Sequence, residues 1–391
     1  MSKTSAAVQP VRKKNKWLGK LNSWLHLWLG LGSGIIVFVV ALTGTMFVFC
    51  DDIIDGLAGK KALYVPVVKE QKLSPEELLQ AFKKELPDRK AFYFETYKDP
   101  VRSFKIGSAG KDKKFQFTWM DPYTGKILGS GKAYYFFYVV AHVHSGEMPF
   151  GKTGNLIVHI ATWIFLIELI TGLILWWPKK WNKATRLQSF NIKWKAGFKR
   201  VNYDLHNVPG FYSLIPALMI TVTGLLIVND TLKETLHNAL GGSEAAYDEM
   251  RKVKPAYDST KKFASLQPTI NNLFLADEQI KQVRISIPAS DSITSFNAIA
   301  AERIGLKGID NGSMFTVNRY TGQKNELAAK TVKGLAIEGW TMNLHIGFWG
   351  GIWGKILTFI IGLVCTALPI TGFLIWWGRH NKKIGKSKLE K

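Results

Sequence analysis

The stretch from Trp24 to Gly44, WLHLWLGLGSGIIVFVVALTG, is apolar and uncharged yet carries His26 near its start. A helix of this length at ~1.5 Å per residue crosses a hydrocarbon core of ~30 Å. Counting on to Phe49, it is the first of four such blocks. The others are Leu156 to Trp177, Phe211 to Val228 and Ile356 to Trp377. The third is short, and its entry, HNVPGFYSLIPALMITVTGLLIV, lengthens it if Pro209 occupies a first turn, where a missing amide proton costs little. Pro216 and Pro369 are expected to kink helices three and four. The N-terminal apolar run is too long for a signal peptide and ends in no small-residue cleavage pattern.

Charge orients these spans. Residues 1–20 hold six Lys or Arg, 178–205 hold eight and 378–391 hold six, against only Asp204 and Glu390. These 20 cations less 2 anions supply +18 of the formal +23. The positive-inside rule makes that side cytoplasmic, with both termini inside. The high basicity therefore needs no nucleic-acid partner, and the lipid bilayer is the partner implied. Two cysteines, Cys50 and Cys365, make no disulfide framework, and the absence of CxxCH excludes covalent c-type haem.

The helices repeat. Leu25, His26, Gly30, Thr43 and Gly44 recur 180 positions on as Leu205, His206, Gly210, Thr223 and Gly224. Gly151, Gly154, Ile170 to Gly172, Trp176 and Trp177 recur 200 positions on as Gly351, Gly354, Ile370 to Gly372, Trp376 and Trp377. HSG at His144 matches HIG at His345 with one residue of slippage. The intervening segments repeat as well. SPEELLQAFKKELP reads as an amphipathic helix capped by Ser74 with Glu77 in the capping box. FTWMDPYTGKIL near Tyr123 and FTVNRYTGQ near Tyr320 read as strands running into glycine turns. Two like halves in one orientation predict a pseudo-twofold axis along the membrane normal.

That symmetry sorts the eight histidines. His26 pairs with His206 near the cytoplasmic face, and His144 pairs with His345 near the outer one. Neither pair has cysteine or carboxylate in zinc-ligand spacing. Two imidazoles facing across a helix bundle, amid glycines and aromatics, fit the axial positions of a b-type haem. Gly30, Gly32 and Gly34 suit either a flat macrocycle or simple helix packing. His159, whose counterpart is Phe359, is the contender for the outer ligand. His142 has no counterpart, while His237 and His380 are expected on the solvated surface. Lys152 and Lys355 recur at the outer helix ends, suited to haem propionates or to interface anchoring. Glu168 is the single carboxylate inside a core helix, and the Trp pairs read as an aromatic belt. No GxGxxG, P-loop, HExxH or Ser/His/Asp constellation appears, and the longest cytoplasmic segment is too short for a nicotinamide or flavin domain.

Nearly the whole chain resembles the PepSY-associated transmembrane proteins, the iron-regulated inner-membrane group that includes ferric-siderophore reductases. The resemblance rests on WLHLWLGLGSG and LTG in the first helix, DPYTGKILG, HSGEMPFG, LHIGFWGGIWGK and ITGLILWWPKK. It implies a bacterial inner-membrane oxidoreductase with two b-type haems. Electrons would pass from a cytoplasmic or membrane donor, a flavoprotein or quinol, to ferric iron in a periplasmic siderophore. Some relatives carry a fused flavin domain, which this chain lacks.

The expected fold is a four-helix membrane bundle with an internal repeat and two extracytoplasmic α+β PepSY-like lobes. The expected partition is a basic segment 1–21, helix one 22–50, lobe one 51–153, helix two 154–177 and a basic loop 178–205. Helix three follows at 206–228, lobe two at 229–353, helix four at 354–377 and a basic tail at 378–391. Two other classes fit the same features. One is a non-redox anchor whose lobes bind or restrain a partner; the other, favoured less, is a metal transporter.

Overall fold

The computed structural model describes residues 16–389, with side chains from 17 to 381. The basic residues before Lys16, and Glu390 and Lys391, lie outside the described residues, so their part in the charge count rests on sequence alone. Four helical segments are long and apolar enough to cross a membrane: Trp17–Phe47, Ala133–Trp176, Phe198–Val228 and Phe348–Asn381. Their outward faces carry large apolar side chains such as Ile35, Ile215, Trp353 and Ile360, which only lipid can cover. This is a multi-pass membrane protein.

The first long helix, α1 (Lys16–Phe47), ends at two short helices, α2 (Cys50–Ala58) and α3 (Lys60–Leu63). The capped helix α4 (Pro75–Glu85) follows, with both halves of the Ser74/Glu77 capping box formed, as its sequence predicts. Then come β1 (Arg89–Tyr97), β2 (Phe104–Gly110), β3 (Phe115–Met120) and β4 (Ile127–Gly131). Helix α5 (Ala133–His144) leads into the second long helix, α6 (Glu147–Trp176), and the loop helix α7 (Lys183–Phe190) into the third, α8 (Phe198–Val228). The chain continues through α9 (Asp230–Leu240), α10 (Ala246–Lys252) and α11 (Leu266–Ala276). It then forms β5 (Gln282–Ser286), β6 (Ser295–Ile304) and β7 (Ile309–Asn318) before α12 (Ala329–Ile346) and the last long helix, α13 (Gly351–Leu389).

The strands of the two expected lobes are joined rather than separate. They form one seven-stranded antiparallel sheet in the order β4-β3-β2-β1-β5-β6-β7. β1 and β5, from opposite halves, pair at its centre with Phe94 opposite Ile285. The reason lies in the strand interiors. Phe94, Val283 and Ile285 are at most 1 % exposed, so neither strand could serve as a wetted edge, and each satisfies its backbone on the other. One sheet face packs on α4 and α11 through Leu78, Phe82, Ile270 and Leu273. The other packs on α2, α3 and α5 through Ile54, Leu63 and Phe137.

Helix boundaries also shift. α8 begins at Phe198, so Pro209 is interior rather than in a first turn. An Arg200 to Asp204 ion pair of 2.9 Å, with Lys193 N donating to Asp204 at 3.0 Å, winds the chain into helix well before His206. α8 runs on through Pro216, and α13 through Pro369. Neighbouring helices in a bundle can take up the carbonyls a proline frees. The break instead falls in α6, at Met148 and Gly151.

Candidate functional site

His26 lies on α1, and its Nδ1 is 3.0 Å from Thr171 Oγ1 on α6. His206 lies on α8, with Nδ1 2.9 Å from Thr371 Oγ1 on α13. Each threonine hydroxyl donates its own proton backward, Thr171 to Ile167 O and Thr371 to Ala367 O, both at 2.9 Å. Its oxygen therefore accepts, and the imidazole Nδ1 carries a proton. Asn22 and Asn202 bind the same turns, donating to Thr171 O and Thr371 O, both at 3.1 Å.

His144 is the last residue of α5, and His345 lies in the last turn of α12. His144 Nδ1 donates to Val40 O at 2.9 Å, and His345 Nδ1 to Ile220 O at 3.0 Å. A carbonyl only accepts, so these rings too hold their proton on Nδ1. All four histidines thus keep an Nε2 lone pair, and no Nε2 of the four has a hydrogen-bond partner among the described residues. An orienting bond to one nitrogen that frees the other is the usual arrangement of a metal-ligating histidine.

The HSG and HIG motifs acquire a physical reason. Gly146 and Gly347, each two residues past its histidine, sit at φ +79° and +74°, where an L side chain is strained. A Cβ at Gly146 would also lie 2.3 Å from Gly154 O. The glycine lets the chain reverse at once, so that α5 and α12 return the imidazoles to the bundle. There each ring lies against a helical glycine. Added Cβ atoms on Gly44 and Gly224 would stand 2.9 and 3.1 Å from the Cε1 of His144 and His345.

The members of each pair lie opposite one another, with ring planes crossed at 79° for His26 and His206 and 59° for His144 and His345. The His26 and His206 ring centroids are 6.3 Å apart, and those of His144 and His345 are 6.0 Å apart. Two imidazoles across one first-row metal, at about 2 Å per bond, put their ring centres roughly 6 Å apart. Among the described residues no three or more His, Cys, Asp or Glu side chains converge on a metal position. A bare ion would be short of ligands here, whereas a haem brings its own four nitrogens and asks the protein for two. Between His26 and His206 lies a cavity of about 650 Å³ walled by Gly30, Gly34, Leu169, Gly210, Leu214 and Pro369. That size is within the range of cofactor pockets. The donor set and the apolar slot fit a bis-histidine haem. Along α1 the two pairs are separated by the fourteen residues from His26 to Val40, about 21 Å at ~1.5 Å per residue.

Other expected residues are placed differently. His159 Nε2 accepts from Trp163 Nε1 at 3.1 Å and lies 3.3 Å from Asn229 Nδ2, so this nitrogen is engaged away from the facing pairs. Lys355 is 1 % exposed and paired with Asp52, its charge already answered. Lys152 is exposed on α6. His237, expected on the surface, is 1 % exposed, with Nδ1 2.5 Å from Ser243 O. That carbonyl is the partner burial demands, and sequence does not reveal it. His142 is 2.7 Å from Tyr138 O and 3.3 Å from Glu147, while His380 is exposed and stacks on Trp376.

Sequence reading missed the threonine anchors, although Thr171 and Thr371 stand in the recurring ITG and Thr43 and Thr223 in the recurring TG. Glu168, the carboxylate expected inside a core helix, has Oε2 3.1 Å from His26 Nδ1 and an Oε1 buried without a partner among the described residues.

No curated protein matches the chain. The sequence model of the PepSY-associated TM region matches residues 23–379, from the first long helix to the last. The chain therefore belongs to the PepSY-associated TM family.

Proposed function

We propose that this protein conducts electrons across the bacterial inner membrane through two b-type haems and reduces a periplasmic acceptor, ferric iron held by a siderophore. One observation carries the reading: two facing histidine pairs, 6.3 and 6.0 Å between ring centres, each with Nδ1 tied and Nε2 free. The reading includes a tandem repeat about an axis along the membrane normal, with the basic helix ends in the cytoplasm.

When bound, the haem irons supply one-electron transfer. The chain's residues do the rest. His26 and His206 hold the cytoplasmic group, and His144 and His345 the periplasmic one. Thr171, Thr371, Val40 and Ile220 fix the ring planes, while the apolar walls exclude water that would raise the reorganisation cost. The single seven-stranded domain stands over the periplasmic end as the surface where the acceptor arrives. One electron per ferric ion suffices, because hard oxygen donors bind the softer, less charged Fe(II) poorly and release it. No acid or base is needed at the acceptor, and a flavoprotein or quinol would supply the electron on the cytoplasmic side.

The test is the visible spectrum of the detergent-purified protein, oxidised and reduced, with haem counted per chain. Two low-spin b-type haems in wild type and one in His206→Ala are expected. Colourless protein from haem-replete cells would sink the reading and leave a PepSY anchor that binds a partner.

A further inference from the structure

The cavity between His26 and His206 has two chemically different ends. Toward the sheet it meets Glu168, one turn of α6 before Thr171, with its unpartnered Oε1. Toward the far end it meets Arg379 and Tyr203. Arg379 lies seven residues past Gly372, the residue against His206, and so about 10 Å further along α13. It is the one Lys or Arg lining the cavity among the described residues, and it makes no ion pair or hydrogen bond with any of them. Tyr203 Oη accepts from Asn207 Nδ2 at 3.3 Å, which leaves its own proton free to donate. Arg200, by contrast, is committed to Asp204. Between Glu168 and Arg379 the walls include Leu169, Leu173 and Phe373, and on the sheet side of Glu168 the cavity is closed by Val37, Phe165 and Leu214.

Such a cavity suits a flat apolar body with anionic arms on one edge. We propose that Arg379 and Tyr203 form a carboxylate-binding site that anchors the propionate arms of the haem held by His26 and His206. The acidic end at Glu168 offers those arms no cation, so the cavity's polarity sets which edge of the ring faces the cytoplasm. A guanidinium is suited to this, since its planar fork meets a carboxylate with two parallel donors. This assignment rests on the haem reading above.

The experiment uses full-length protein in detergent, expressed without haem, with His345→Ala so that only the first site is read. It is titrated with haem and with haem dimethyl ester, whose arms carry no charge. Binding is followed by the low-spin visible spectrum. The expected result is a preference for the free acid of about tenfold, the equivalent of one charge-assisted hydrogen bond. Arg379→Gln should lose that preference while binding the ester as before, and Arg379→Lys should restore part of it. An unchanged preference in Arg379→Gln, or an equal weakening of both forms, overturns the assignment while leaving the haem reading standing. Failure of the parent protein to take up either form overturns both.

Discussion

His26 and His206 are held by the same device, a threonine hydroxyl on the neighbouring long helix, at 3.0 and 2.9 Å. What differs is the residue one turn before that threonine. In the first half it is Glu168, against Gly30 and 3.1 Å from His26 Nδ1; in the second it is Leu368, against Gly210. The groups that hold the two imidazoles therefore recur, and the carboxylate beside one of them does not. A ligating imidazole whose free N–H faces a carboxylate becomes a stronger donor to its metal. The comparison assigns geometry to the shared residues and tuning to the unshared one.

Removing a ligand is the harshest way to test this. His26→Ala and His206→Ala should each cut haem from two to one per chain by pyridine-haemochrome assay, because neither half holds the group alone. Crowding comes next. Gly44→Ala puts a Cβ 2.9 Å from His144 Cε1, and Gly372→Ala puts one 3.2 Å from His206 Cε1. Haem occupancy should fall further in the first variant, and equal occupancy in the two would show that the rings give way freely.

The junction between the halves offers a third break. Glu95 on β1 is buried against Arg284 on β5 at 2.5 Å and Lys105 on β2 at 3.2 Å. Burial alone would raise its pKa, but Lys105 and Arg284 reverse that and bring it from about 4.5 to about 2. A carboxylate depressed this far contributes about 3 kcal/mol that is fully present above pH ~4.5 and lost as pH falls toward 2. Glu95→Gln should lower the unfolding midpoint of the sheet domain at pH 7 and flatten its pH dependence between roughly 2 and 4.5. An unaltered acid limb would remove Glu95 from the junction.

Two smaller effects address the asymmetry itself. Thr371→Val should loosen His206 and broaden the low-spin electron paramagnetic resonance signal more than Thr171→Val does, because His26 keeps Glu168 as a second partner. Glu168→Leu should leave two haems in place and raise one midpoint potential by roughly 60 mV, a tenfold change in a one-electron equilibrium. Leu368→Glu should move it the other way. A potential that ignores both substitutions would reduce Glu168 to a packing residue.

Much of the architecture was legible along the chain, because its causes are local or periodic. Four uncharged apolar blocks specify four spans, the Ser74/Glu77 spacing specifies the start of α4, and Gly125 and Gly322 mark turns after their strands at φ +72° and +69°. The histidine pairing was legible for a different reason: recurrence at a fixed offset marks positions that must meet. The partners were less legible. Thr171, Val40 and Ile220 are ordinary residues of apolar helices, and nothing in their neighbours along the chain says that an imidazole 104, 125 or 145 positions away will bond to them.

Sequence by itself thus determined the number of membrane helices, the basic and apolar ends, and which histidines are equivalent. Hydropathy, charge and repetition are summed along the chain and need no neighbour. Only the tertiary structure decided that the two lobes share one sheet through β1 and β5, since backbone hydrogen bonds across a strand edge carry no residue signature. It also decided that Lys355 is answered by Asp52, that His237 is buried, and that Glu168 lies against one histidine of the four. Each of these depends on what a side chain meets across the fold, and burial makes that meeting obligatory.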